Sequence, residues 1–484
     1  MSRGGRVLLI IHDVYQEDNI FPLGPAYIAS ALKASGAEVT VACQDVFHYS
    51  NEELVRRYLQ NGSYDLIGVG FMAARFKETV LDLCEVINQY KGGAWLVLGA
   101  HGPSSIPEYM IKTTGADIVA IGDAEETMVD LLKCKIAGGN DISNVDGIAF
   151  RSGDGVVVNK RREPSRQLDR FPFPAWEIFP MKDYADCVGL KGMEEGGKVL
   201  AVITGRGCTN RCNFCYRMES GIRLRSINNV IEEMKILYQQ YGVRHFNMQD
   251  ELFISSRRRL LEFRDALKSA GLKITFNCDA RVDIFDEEIA HTLAECGCVF
   301  LNFGLESSDQ NVLNAMGKRT TVEQNIKAVR IAKKTGVGIG LNFLWGNIGD
   351  TEASLKSNVR LIRELNTYYH LRTIRPVTPY PGCDLYYEAI RRGLLSGPED
   401  FFERFKNSDL LTVNFTDIPE KQFYESLFNV NKELIIDHYE HTAGDMKEAN
   451  HLIEQFYNLY FKGEYKFRGA RHYDRKQEKV GGRK

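Results

Sequence analysis

Residues 6–134 alternate short, wholly apolar runs with amphipathic stretches, and this rhythm limits the fold more than any other feature. The runs are 7–11, 39–42, 66–71, 95–99 and 118–121, and helical stretches such as 27–35 and 76–90 lie between them. A strand without polar alternation is buried on both faces, and helices between successive strands cover both sides of a parallel sheet. The rhythm predicts a doubly wound α/β domain. Ligands of such domains bind outside the carboxyl ends of the strands.

The pattern changes at residue 145. Residues 147–151 and 156–160, around Ser152-Gly153-Asp154-Gly155, read as a β-hairpin. Phe171-Pro172-Phe173-Pro174-Ala175-Trp176 follows as an extended linker, because proline disfavours helix in the residue before it. Strand and helix then resume with longer units. Strands are expected at 199–204, 245–248, 274–278, 299–304, 338–343 and 371–376, with helices at 228–240, 256–270 and 322–335 among them. Six βα units over so short a span fit a partial (β/α)6 barrel with its chemistry at the strand C-termini. Aromatic helical stretches follow at 401–405, 423–438 and 451–461. The Lys/Arg-rich end with Gly481-Gly482 reads as a solvated tail. The expected organisation is 1–140 doubly wound, 141–198 hairpin and linker, 199–385 barrel, 386–465 helical, and 466–484 basic tail.

Charge narrows the partners. Lys plus Arg total 61 against 64 Asp plus Glu, a net of −3, so no global field favours nucleic acid or an anionic membrane. Only five apolar residues follow Arg6, too few for a signal peptide or for a span of about 20 residues. A cytoplasmic protein without stable membrane insertion is expected. Eleven cysteines, an odd number without an export signal, argue against a disulfide framework. Eight are scattered (Cys43, Cys84, Cys134, Cys187, Cys278, Cys296, Cys298, Cys383) and read as small buried apolar side chains.

The other three form Cys208-Thr-Asn-Arg-Cys212-Asn-Phe-Cys215, directly after a strand and Gly205-Arg206-Gly207. Thiolates select zinc or iron–sulfur clusters. Structural zinc usually takes four protein ligands from two separated pairs, and Cys296-Gly-Cys298 is too tightly spaced to supply the second. Three thiolates on one short loop suit a [4Fe–4S] cluster with one iron open to an outside ligand. On these residues alone, zinc stays the alternative.

Cys-x3-Cys-x-aromatic-Cys, with Phe214 as the aromatic, after the first strand of a (β/α)6 barrel resembles the radical S-adenosylmethionine superfamily. The resemblance implies that the open iron chelates S-adenosylmethionine and that its cleavage yields a 5′-deoxyadenosyl radical. It also implies an external flavodoxin- or ferredoxin-like electron donor. Asp250-Glu251 after the second strand is similar to the acidic motif that receives the methionine ammonium, with Glu251 the better candidate. Arg281 resembles the base that meets the methionine carboxylate. Gly304-Leu-Glu306-Ser307 resembles the motif that contacts methionine or ribose, Tyr380-Pro381-Gly382 the adenine-side turn, and by the same resemblance Phe214 and Tyr216 are among the S-adenosylmethionine contacts. Gly346-Asn-Ile-Gly349-Asp350-Thr351 departs from the family pattern, which has proline before the second glycine.

A doubly wound domain ahead of this barrel resembles the cobalamin-binding branch. By that resemblance Gly99-Ala100-His101-Gly102 is the loop that lets a nucleotide tail approach backbone, and Gly122-Asp-Ala-Glu125 a similar turn after the fifth strand. Phe71, Met72, Ala73, Ala74 and Arg75 fall where the lower cobalt face is met. Asp13-Val-Tyr15 lacks the Asp-x-His of mutase-type domains, and loss of the cofactor is the alternative. The implied activity is a cobalamin-dependent methyltransferase that acts, through that radical and methylcobalamin, on an unactivated carbon of a small molecule. A non-methylating cyclase or rearrangement enzyme of the same branch is the second reading, and an iron–sulfur electron-transfer or binding module the third.

Overall fold

A computed structural model describes residues 4–14, 20–73, 76–139, 141–185, 197–405 and 410–463. Two parallel sheets carry the molecule.

The first has the order β2-β1-β3-β4-β5-β6-β7, with β1 Arg6–Ile11, β2 Glu38–Cys43, β3 Leu66–Gly70, β4 Trp95–Gly99, β5 Ile118–Ala120, β6 Ile148–Ser152 and β7 Gly155–Val158. β1 to β5 are parallel, in the register Val7↔Leu66 and Gly70↔Gly99. The apolar runs of β1, β3, β4 and β5 are largely buried, while β2 at the sheet edge is only partly so. The hairpin expected in the linker instead joins this sheet. β6 pairs antiparallel with β5, Ala120↔Ile148, and covers what would be an open edge.

The second sheet has the order β15-β14-β13-β12-β11-β8, all parallel: β8 Lys198–Val202, β11 Val243–Met248, β12 Thr275–Ala280, β13 Cys298–Glu306, β14 Gly338–Trp345 and β15 Arg375–Pro376. This is the expected half-barrel. Its sixth strand is two residues long rather than six, because residues 371–374 lie outside the sheet. The helices between strands carry their own start signals: the Ser226, Ser256, Asp286 and Thr321 side chains each accept from a backbone N–H of the first turn.

Two large apolar clusters tie the parts together. One joins Phe21 and Trp176 to the outer face of the barrel. The other joins the first sheet, through Phe71 and Phe76, to Tyr386, Phe401 and Phe402 of the C-terminal region. Among the described residues no helix is long and apolar enough to cross a membrane. The basic tail 466–484 lies outside the described residues.

Candidate active site

The cysteine loop is built from the end of β8. Asp250, buried at the end of β11, accepts from the Thr204 N–H at 3.0 Å and from Thr204 Oγ1 at 2.8 Å. Burial pushes its carboxyl up to about 6 against those bonds. Next, β9 Gly205–Arg206 pairs antiparallel with β10 Arg223–Leu224 and closes the base of the loop. Gly207 has φ +86°, and a Cβ there would fall 2.3 Å from Gly221 O. Only glycine allows that approach. The Gly207 N–H donates to Glu251 Oε2 at 2.8 Å.

The far side of the loop is held by Asn213. Its N–H donates to Met316 O at 2.8 Å, its carbonyl accepts from Leu385 N at 2.8 Å, and its side-chain amide exchanges bonds with Asn347 at 3.1 and 3.3 Å. The 346–351 loop thus has a local purpose. Asn347 braces the cysteine loop, while Asp350 accepts from the Gly346 and Asn347 N–H groups.

The cysteines face a charged surround. Burial raises Cys212 and pushes Cys215 up to about 11, while Lys318 and Arg281 pull Cys212 the other way. Lys318 Nζ donates to Glu306 Oε1 at 2.7 Å, both side chains nearly sealed from water. Gly304 makes room, since a Cβ there would fall 2.5 Å from Glu306 Oε1 and 2.9 Å from Lys318 Nζ. Arg281 pairs with Asp283 at 2.7 and 3.0 Å. In the orientation that satisfies both groups, Asn210 Oδ1 accepts from Arg281 Nη1 at 2.7 Å.

The donor set fits an iron–sulfur cluster. All three thiols are free, Cys208 and Cys212 partly exposed and Cys215 exposed, whereas Cys383, which feels Cys215 electrostatically, is 1% exposed. Among the described residues no three His, Cys, Asp or Glu converge tightly enough to hold a single ion. A cubane takes each thiolate at a different corner and does not need that convergence.

The N-terminal sheet meets the loop at its strand ends. His101 lies 6.0 Å, edge to face, from Tyr216. Burial pushes its imidazole down, opposed by Glu251. Gly382 has φ +95°, and a Cβ there would fall 2.7 Å from both Ser105 Cβ and Tyr216 Cδ2. This one glycine lets the sixth-strand turn, the cysteine loop and the β4 loop touch. Tyr380, half-buried, packs toward Phe401. At the end of β4, Ala100 has φ +72°, and the space a Cβ on Gly99 would take is empty. Met72 beside it is 56% exposed. An open glycine cradle and an exposed thioether at adjacent strand ends suit a flat, largely apolar cofactor.

Several residues expected at the cofactors are engaged by groups of the protein itself. Asp250 is spent on Thr204, and Ser307 is wholly buried, with Oγ accepting from Asp309 N at 3.1 Å. Glu306 is engaged by Lys318. Phe71 and Ala73 are buried, and Gly102 serves Phe71, whose carbonyl accepts from the Gly102 N–H at 3.0 Å. Glu125 is 4% exposed and accepts from Arg206 Nη2, and Gly122 lies against Glu219. Cys208, Cys212, Cys215, Phe214, Tyr216, Glu251, Arg281, Tyr380, His101, Gly99, Ala100 and Met72 remain open or half-open. Ala74 and Arg75 lie outside the described residues. Lys318 and Asn213 were missed. The only signal was the Gly317-Lys318 turn, which reads as surface.

Comparison with known proteins agrees with this architecture. The Radical SAM superfamily model matches residues 202–362 and the B12 binding domain model residues 15–132. A radical SAM segment and a B12-binding segment ahead of it are thus both found in this chain. It is 28% identical over 385 residues to an uncharacterized methyltransferase of Pyrococcus horikoshii, covering 77% of this chain and 79% of that protein. It is 27% identical over 396 residues to the anaerobic magnesium-protoporphyrin IX monomethyl ester cyclase of Rubrivivax gelatinosus, covering 79% and 69%. The structure of the radical S-adenosylmethionine methyltransferase TsrM from Kitasatospora setae, with cobalamin and a [4Fe–4S] cluster bound, superposes with a TM-score of 0.70 at 17% identity over 89% of each chain.

Proposed function

We propose that this chain is a cobalamin-dependent methyltransferase that acts on an unactivated carbon of a small molecule, in the cytoplasm, with electrons from an external flavodoxin- or ferredoxin-like donor. Cys208, Cys212 and Cys215 hold the cluster, and residues 199–385 form the barrel around it. Residues 1–140 hold cobalamin, residues 141–198 tie the two together, and the helical 386–465 packs beside both. The observation that carries the reading is the junction of His101, Tyr216 and Gly382, which sets the open Gly99 cradle against the cysteine loop.

When bound, the cluster and S-adenosylmethionine supply a carbon radical and cobalamin the methyl group. The protein's own part is orientation. Glu251 presents a carboxylate beside the loop for the methionine ammonium of S-adenosylmethionine, because a charge-assisted bond is about twice as strong as a neutral one. Arg281, fixed by Asn210 and Asp283, faces a carboxylate. Burial disfavours the charged form of His101, opposed by Glu251.

Anaerobic reconstitution with iron, sulfide and hydroxocobalamin tests the reading. It requires about four irons and one cobalamin per chain, with iron lost in Cys212→Ala. Likeness to the Rubrivivax cyclase supports a second reading, a non-methylating cyclase. Four irons without cobalamin would favour that reading, and absence of iron would remove both.

A further inference from the structure

Two arginines stand beside the cysteine loop without a partner. The turn Gly317-Lys318-Arg319 packs on the loop's backbone: a Cβ on Gly317 would fall 3.0 Å from Arg211 O, and the Asn213 N–H donates to Met316 O at 2.8 Å just before it. That contact sets Arg211, next to Cys212, close to Arg319, next to the buried Lys318. Both arginines are exposed, and among the described residues neither guanidinium has a hydrogen bond or an ion pair. Arg319 also holds a left-handed backbone, φ +58°, a conformation uncommon outside glycine and found often at functional sites.

The neighbouring acids are engaged elsewhere. Glu306 accepts from Lys318, Asp283 from Arg281, and Asp309 from the Asn311 and Val312 N–H groups. In a chain with a net charge of −3, the two arginines make a local positive field at the cysteine loop. The loop runs on from Arg211 through the exposed Cys215 to Tyr216. On that side the helix Asp384–Arg391 is tied to Asn213, whose carbonyl accepts from the Leu385 N–H, and it leaves Tyr387 and Ile390 55% and 37% exposed. Asp384, exposed at the start of the helix, ends the positive region there. Along the loop, then, two free cations stand on one side of the exposed thiol and two apolar side chains on the other.

We propose that this surface docks the external electron donor, and that the donor is an acidic flavodoxin. Carboxylates around its flavin meet Arg211 and Arg319, and the apolar edge of the flavin meets Tyr387 and Ile390 beside Cys215. The inference rests on the enzyme reading above, since it places that enzyme's donor. One electron leaves the carrier's fully reduced flavin and enters the cluster, so the flavin is oxidised by one electron and no bond forms between the proteins. Redox encounters of this kind are small and transient, below about 1,200 Å². Unpaired surface charges suit them, because opposite charge speeds the encounter more than it tightens the complex.

The full-length reconstituted protein is titrated anaerobically with an oxidised acidic flavodoxin, and binding is read by microscale thermophoresis. Affinity should fall at least about tenfold between ionic strengths of about 0.01 M and about 0.15 M, as the screening length shortens from about 30 Å to about 8 Å. Arg211→Glu combined with Arg319→Glu should lose at least about tenfold at the lower strength. It should keep its iron and be reduced at the wild-type rate by photoreduced 5-deazariboflavin, a small uncharged mediator. Lys334→Glu, 67% exposed at the far end of the barrel before β14 begins, should bind as wild type. Where the double reversal fails to fold, Arg211→Lys and Arg319→Lys keep the charge and allow carbodiimide coupling to the donor's carboxylates, with cross-links expected at 211 or 319. Salt-independent binding, unchanged affinity in the folded double reversal, equal loss with the uncharged mediator or in Lys334→Glu, or cross-links only elsewhere would overturn the proposal. So would equal affinity for a single-stranded DNA of the same net charge, or a dimer of the chain that shuts the flavodoxin out. With iron in place these failures remove this inference alone, whereas missing iron removes the enzyme reading beneath it.

Discussion

Arg206, two residues before Cys208, donates to Glu125 Oε1 in the turn after β5 at 2.5 Å, so the lead-in to the cysteine loop is bonded directly to the N-terminal sheet. Asp123 in the same turn lies 3.2 Å from Arg206 and 2.6 Å from Arg223 on the partner strand of the loop's base. The turn after β5 is therefore bonded to the base of the cysteine loop and ties the two sheets together. A buried ion pair is weak evidence of stability, but breaking one from a single side leaves an unpaired buried charge.

Arg206→Ala is expected to destabilise the protein by about 3 kcal/mol, since it strands Glu125 with a side chain only 5% exposed. Glu125→Ala should cost less, because Asp123 still faces Arg206. Chemical denaturation of both single variants and the double variant gives the coupling. Additive losses would show that the pair does not hold the sheets together.

Lys318 and Glu306 form a second buried pair, and this one borders Cys212. Lys318→Met removes a cation beside a cluster thiolate, which makes the added electron less favourable. The reduction potential of the reconstituted cluster should fall, and Lys318→Met with Glu306→Gln should recover most of the change by removing the opposing charge. Redox titration followed by electron paramagnetic resonance reads both. An unchanged potential in Lys318→Met would place the lysine in a purely structural role.

Gly382→Ala should cost about 2–4 kcal/mol, combining a left-handed backbone with overlap at Ser105 and Tyr216. Gly349 is the control. Its φ is +87° with nothing within 4 Å, so alanine there carries the backbone term alone, about 1 kcal/mol. Denaturation midpoints of the two variants separate packing from conformation. Equal losses would mean that the three-way junction yields without strain.

How far the sequence is legible follows from which interactions are local. The strands of the first sheet were readable because burial on both faces shows as a nearly unbroken apolar run, those of the second because buried apolar residues recur at about every second position, and the cysteine loop because its ligands lie within eight residues. The attachment of β6 to β5 was not readable, since a hairpin looks the same whether it is free or paired. Nor were the partners of Asp250 and Glu125. A carboxylate beside a glycine turn reads as a ligand contact until the fold shows Thr204 or Arg206 at its oxygens. Lys318 was silent for the same reason: it follows a turn, and only the barrel's closure brings it to the lumen.

His245 sets a pH dependence whose sign can be worked out. It is 1% exposed at the start of β11, with Nδ1 2.8 Å from Thr275 Oγ1. Burial lowers its pKa to about 4, against an opposing pull from Asn277. The folded pKa lies below the unfolded value of about 6.5, so the unfolded chain binds the proton first. His245's contribution is intact above pH 6.5 and is lost as pH falls toward 4, with a slope up to about 1.4 kcal/mol per pH unit and a total of about 3 kcal/mol. Asp250 works in the opposite direction: its carboxyl is raised to about 6, so its contribution grows as pH falls from 6. The wild-type curve is therefore flatter than either group alone would make it. Replacing the histidine exposes the difference. His245→Asn should be less stable than wild type at pH 7.5, and that deficit should shrink steadily between pH 6.5 and 4.5 as the wild type takes up its penalty. Denaturant unfolding across that range measures it. A deficit independent of pH would mean that His245 ionises as freely in the folded protein as in the unfolded chain.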